Sequence, residues 1–153
     1  MKKTNKGFSM VELIIVIAIM AILAGALAPT LIKYINKSRL STDIQTGQTI
    51  ATSITAALAV ENAYDVAQDS SGTVVYDTWL NAQGTAMQNE VKTAMGNTTP
   101  AGKSKKDVTG ATFSNPGTFY VNVNVGSSSL KVYYGGTAAG NEVYPNPGSL
   151  MTN

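Results

Sequence analysis

Cysteine and histidine are both absent from this chain. Without cysteine there is no disulfide framework and no thiolate metal site. Without histidine, the usual general base and the commonest transition-metal ligand are also missing. Serine and threonine are plentiful, but no Ser-His-Asp arrangement can be built from them. The Ser-Lys pairs of Lys103-Ser104-Lys105-Lys106 have no supporting pattern around them. The expectation is a protein that is not an enzyme and carries neither cofactor nor metal. Charge is scarce too: Asp, Glu, Lys and Arg are 13% of 153 residues, low for a soluble domain. Polarity comes mostly from Thr, Ser, Asn, Gln and Gly, a surface suited to packing against further copies of itself.

The formal charge of +2 is a poor guide to partners. Lys2, Lys3 and Lys6 precede Phe8, and the rest of the chain has eight basic residues against nine acidic ones. The basic pI therefore reports the N-terminal leader, and nucleic acid is not an expected partner. The length suffices for one domain with a core, or one domain plus a membrane helix.

The informative stretch is the N-terminus. A short basic segment ends at Gly7, and from Phe8 to Ile32 the only strongly polar side chain is Glu12. As a helix these residues span about 37 Å, against roughly 30 Å of hydrocarbon core. Lys33, Lys37 and Arg39 then mark the emergence into water. Ala26-Leu27-Ala28 has the small-x-small form of a secretory cleavage site, but Pro29 follows directly and the apolar run is long. A plain anchor with its N-terminal lysines cytoplasmic satisfies the positive-inside rule and leaves Glu12 unexplained. An ionised carboxylate inside a membrane helix costs about 2.5–3.5 kcal/mol on insertion scales, so it calls for a partner. A cut between Gly7 and Phe8 would supply one: a new α-amino group at the head of the helix, from the same chain or a neighbour.

Lys6-Gly7-Phe8-Ser9-Met10-Val11-Glu12, followed by the apolar run to Pro29, closely resembles the prepilin signature of type IV pilins and their pseudopilin relatives. The resemblance covers about Lys2 to Arg39. It implies a leader, residues 1–7, removed by a prepilin peptidase that cuts between Gly7 and Phe8 and methylates the amine of Phe8. It further implies that Glu12 supports assembly by pairing with a neighbour's Phe8 amine. Pro29 falls where the family's helix can loosen. Gly25 and Pro29 fit that physically, since Pro29 cannot donate to the Gly25 carbonyl and glycine weakens the same turn.

The resemblance implies the major structural subunit of a type IV pilus, polymerised through its N-terminal helix into a filament for adhesion, motility or aggregation. Its expected partners are further copies of itself, the prepilin peptidase and the pilus assembly platform. Its expected location is the cytoplasmic (inner) membrane as precursor, then the extracellular pilus on the bacterial surface. A pseudopilin or minor pilin of a secretion or DNA-uptake system is one alternative. A membrane-anchored exported binding domain is another. Many type IV pilins close their C-terminal region with a disulfide, which this chain cannot do.

The fold class expected is α+β: a long N-terminal helix, half membrane and half amphipathic, packed on a small antiparallel sheet, with a second short helix. The segments are the leader 1–7, the apolar helix 8–32, and a head 33–153 that includes the amphipathic helix to about residue 62. Leu40, Ile44, Gly47, Ala51, Ile54 and Leu58 recur at three- and four-residue steps and form its apolar stripe. Thr73–Tyr76 reads as a short strand. Asp77 or Thr78 is expected to cap a second helix with Leu80, Met87, Val91 and Met95 on one face, stopped at Gly96-Asn97 and Pro100. Trp79 and the methionines read as core. Phe119, Val121, Val123 and Val125 alternate with polar residues, as do Leu130, Val132 and Tyr134. The expected hairpin pairs Val125 with Leu130, Val123 with Val132 and Val121 with Tyr134, around a turn at Gly126–Ser129. Glu142–Tyr144 reads as a third strand. Asp65, Asp69 and Asp77 match no EF-hand loop and read as solvated. Lys103, Lys105 and Lys106 form a basic loop, solvated or a patch for an acidic partner or DNA. Asn36-Lys37-Ser38 and Asn97-Thr98-Thr99 match the glycosylation sequon, a weak pattern in a Thr-rich chain.

Overall fold

The computed structural model describes residues 7–152. Most of the expected leader, residues 1–6, lies outside them. The chain divides into two units, Met1–Ile35 and Asn36–Asn153.

Helix α1 runs from Met10 to Leu58 and belongs to both units. In the first unit every described residue is exposed, including Ile14, Ile15, Ile17, Ile22 and Leu31. The most apolar window of the helix has a mean hydropathy of 2.7 and buries nothing. This is a helix long and apolar enough to cross a membrane, with its whole apolar surface unpartnered. It ends at Leu58 in a tightened turn, where Ala59 and Val60 donate to carbonyls three residues back. A separate short helix, α2 (Glu61–Tyr64), follows. The expected continuous helix to Asn62 is thus interrupted before it.

In the second unit, α1 lies under a sheet. Its buried residues are Leu40, Asp43, Gly47, Ile50, Ala51, Ser53, Ile54 and Ala57. The expected stripe is present but wider, with Ile44 and Leu58 only partly covered. Ser41, Thr42, Thr46, Thr49, Thr52 and Thr55, exposed or half-buried, and buried Ser53 each donate a hydroxyl to the carbonyl four residues back.

The sheet contains β1 (Val74–Val75), β2 (Phe119–Asn124), β3 (Ser129–Tyr134) and β4 (Glu142–Tyr144), antiparallel and in that order. Alternation in β2 places Phe119, Val121 and Val123 in the core, with Val132 and Tyr134 from β3 and Val143 from β4. Gly47 lets β4 approach the helix, because a β-carbon there would overlap Val143.

The β2–β3 register differs from the expected one. Val123 pairs with Leu130, Val121 with Val132 and Phe119 with Tyr134. The loop is Val125–Ser128, one residue earlier than expected. The Asn124 side chain accepts from Ser127 N at 2.9 Å and from Ser127 Oγ at 2.8 Å, and Ser128 closes the turn at φ 53°. A slide of two residues is even, so every side chain keeps its face.

The expected second helix is two helices, α3 (Tyr76–Ala82) and α4 (Thr85–Ala94). Gln83 and Gly84 between them are extended. Buried Gln83 holds the break: its Nε2 donates to the Trp79 carbonyl and its Oε1 accepts from Gln68 N at 2.7 Å. Val66 packs where a β-carbon on Gly84 would lie. The residue before α3 is Val75, which offers no capping side chain. Asp77 stands inside the first turn instead, where the helix dipole favours a carboxylate. Helix α4 stops as expected, with Gly96 and Asn97 at φ 66° and 56°.

Candidate functional site

The residues singled out at the N-terminus are Gly7, Phe8, Glu12, Gly25 and Pro29, and all five are described. Gly7 and Phe8 are exposed and precede the helix, so the peptide bond between them is open to solvent. Ser9 stands at the helix boundary. Its carbonyl accepts from Leu13 N at 3.2 Å, and its Oγ accepts from Val11 N at 3.3 Å. Glu12 Oε2 in turn accepts from Ser9 N at 2.9 Å. This is a capping box: a hydroxyl and a carboxylate three residues apart satisfying backbone donors the helix cannot reach. The spacing Ser9-x-x-Glu12 ahead of an apolar run is the sequence signal for this box.

The box gives Glu12 a local partner. It also fixes where the carboxylate points: back over the helix start, onto the residue after Phe8. An amine created at Phe8 would stand one residue from the atom Glu12 already holds. Farther along, α1 passes through Gly25 and Pro29 without leaving its helical span. Pro29 has no N–H, so the Gly25 carbonyl lacks its usual intrahelical donor.

The other candidates resolve into structural tasks. Trp79 and Met87 are core residues, and Trp79 Nε1 donates to the Gln68 carbonyl. Asp69 Oδ1 accepts from Val125 N at 2.6 Å, tying its loop to the end of β2. Asp65 and Asp77 are exposed, and among the described residues no group of three potential ligands is placed to hold a metal. Asn36 of the first sequon is partly covered and donates to the Asp107 carbonyl at 3.0 Å, whereas Asn97 of the second is exposed.

The basic loop is more than a solvated excursion. Asp43, fully buried on α1, accepts from Lys103 N and Ser104 N, both at 2.8 Å. Buried Asp107 accepts from Thr109 N, Thr109 Oγ1 and Ala111 N. The Tyr134 hydroxyl donates to the Ser104 carbonyl and accepts from Gly117 N at 3.0 Å. Burial pushes the Tyr134 hydroxyl up to about 12, with Asp43 nearby adding to the rise. Asp43 lies three residues after Leu40 and four before Gly47, on the stripe itself. A carboxylate in that row was the available sign of a buried acceptor.

Neither a curated protein nor a solved structure matches this chain. Residues 2–28, the leader and the exposed apolar run with its capped start, match the prokaryotic N-terminal methylation motif, the signal of type IV pilin-like and pseudopilin proteins.

Proposed function

We propose that this chain is the major structural subunit of a type IV pilus. It is cut between Gly7 and Phe8, methylated on Phe8, and polymerised through its N-terminal helix. The observation that carries this reading is the join of a methylation motif to a helix whose apolar first half is fully exposed and whose first turn holds Glu12 beside the future amine. In the membrane, lipid covers that helix. After extraction, only like helices from other copies offer an equally dry surround. Glu12 then sets register, because a misplaced copy leaves a carboxylate unpaired in apolar surroundings. The missing intrahelical donor at Gly25–Pro29 is a weak turn where the helix can lengthen within the polymer. The prepilin peptidase and the assembly platform are the implied partners. The precursor resides in the cytoplasmic membrane and the product outside the cell.

N-terminal sequencing with mass analysis of the mature protein tests the processing, with methylated Phe8 expected. A mature chain starting at Pro29 would show a secretory cut and end the pilin reading. Long surface filaments composed mainly of this chain are expected. Short filaments confined to the envelope would assign it to the pseudopilins, and a processed chain that never polymerises would make it an anchored binding domain.

A further inference from the structure

Charge in the second unit is sorted by end. The chain has no Lys or Arg between Arg39 and Lys92, and along α1 and just past it that interval carries only Asp43, Glu61 and Asp65 as charges, whereas Asp77 shares a separate hollow with Lys92. The basic loop is pinned to α1 at two points, through Asn36 to the Asp107 carbonyl and through Asp43 to Lys103 N and Ser104 N. Residues 103–107 therefore run back along the helix from Asp43 toward Asn36. At 100° per residue, Lys37 and Arg39 flank the seam made by Asn36, Leu40 and Asp43. Exposed Lys103, Lys105 and Lys106 join them there, making five cations around one end of the head. The two carboxylates at this end, Asp43 and Asp107, are buried and spent on backbone N–H groups. Among the described residues the one ion pair, Lys131 with Glu142, lies elsewhere, on β3 and β4.

Glu61 and Asp65 sit beyond the other end of α1, in and just after α2, and both are exposed. Arg39 and Leu58 are about 28 Å apart along the helix, nearly three Debye lengths at 0.1 M salt, so the two ends do not neutralise each other within one chain. We infer that the basic end of one head docks on the acidic end of the next copy, Lys37, Arg39 and the 103–106 loop against Glu61 and Asp65. This contact rests on the filament reading above. In a polymer whose helices all point one way, complementary patches at opposite ends form a heterologous contact that repeats without closing. It gives the stack a polarity and an axial register that a nonspecific apolar helix bundle does not supply.

The test uses the full chain expressed with its assembly machinery, reading sheared filament mass alongside cleavage at Gly7–Phe8. The double variant K105E/K106E is expected to be cut normally and to lose about ten-fold in filament mass, since it sets like charges against each other. The variant E61K/D65K should do the same, and the chain with all four substitutions should recover most of the loss. Wild-type filaments should also fragment as salt is raised. Wild-type filament mass from K105E/K106E would overturn the contact, as would failure of the four-fold variant to recover. Normal filaments with lost binding to duplex DNA or to phosphatidylglycerol vesicles would assign the cations to those partners instead. A wild-type chain that is cut yet forms no filaments removes the filament reading itself, before any variant is compared.

Discussion

Asp43 accepts two consecutive backbone N–H groups from a segment sixty residues later in the chain. Replacing it with Ala leaves both donors without their acceptor, Ser104 N in the core and Lys103 N at its edge. The expected loss is about 2–4 kcal/mol, measured by chemical denaturation of the full chain in detergent. Asp43→Asn keeps one acceptor oxygen and should lose less. Two phenols belong with it. Tyr134 and Tyr76 are both raised from 10.0 to about 12, chiefly by burial, with Asp77 adding to the rise at Tyr76. The folded state thus holds these protons more tightly than the unfolded chain. The stabilisation is complete below pH 10 and is lost as pH rises through about 12. In an alkaline titration, tyrosinate absorbance should show two of the seven tyrosines ionising late, together with loss of near-UV dichroism. Ser9 and Glu12 were readable as a capping box from their spacing alone. Asp43 was readable only as an oddity on an apolar stripe. Its partners, Lys103 and Ser104, carry no mark in sequence, because a backbone N–H looks the same everywhere.

The long helix, the β2–β3 hairpin and β4 were all visible as patterns, since each has a strict period and buries one face. What escaped was decided by contacts outside the pattern. The hairpin register turns on the Asn124 side chain gripping Ser127, and alternation cannot distinguish a pairing from one slid by two. The split between α3 and α4 depends on Gln83 reaching Gln68 and on Val66 filling the space beside Gly84. The helical period resumes after the break, so the sequence reads as one helix. Gly47 offers a direct check on how α1 meets the sheet. Gly47→Ala should raise helix propensity yet destabilise the head by roughly 1–3 kcal/mol, because the new methyl displaces Val143. Thermal denaturation reads the sign. A gain in stability would mean that β4 moves off the helix without cost.

The core of the second unit draws on α1 from Leu40 onward, on α3 and α4, and on all four strands. Among the described residues, none before Leu40 is buried. A fragment starting at Asn36 should therefore melt cooperatively, with the near-UV dichroism of the full chain. Loss of a cooperative transition would mean that the first unit supplies stability its exposure does not suggest. The processing motif was the clearest message in the sequence, since it is written in contiguous residues read one chain at a time. The charge-sorted ends were not, because they depend on a loop folding back along a helix sixty residues away. The seven hydroxyls that α1 returns to its own carbonyls change how its second half meets its surroundings. Each donor proton is already committed, so these hydroxyls meet water only as acceptors. By its letters the helix passes from an oily half to a polar one; what that second half still asks of water comes chiefly from Lys37, Arg39, Gln45 and Gln48, and little from its row of hydroxyls.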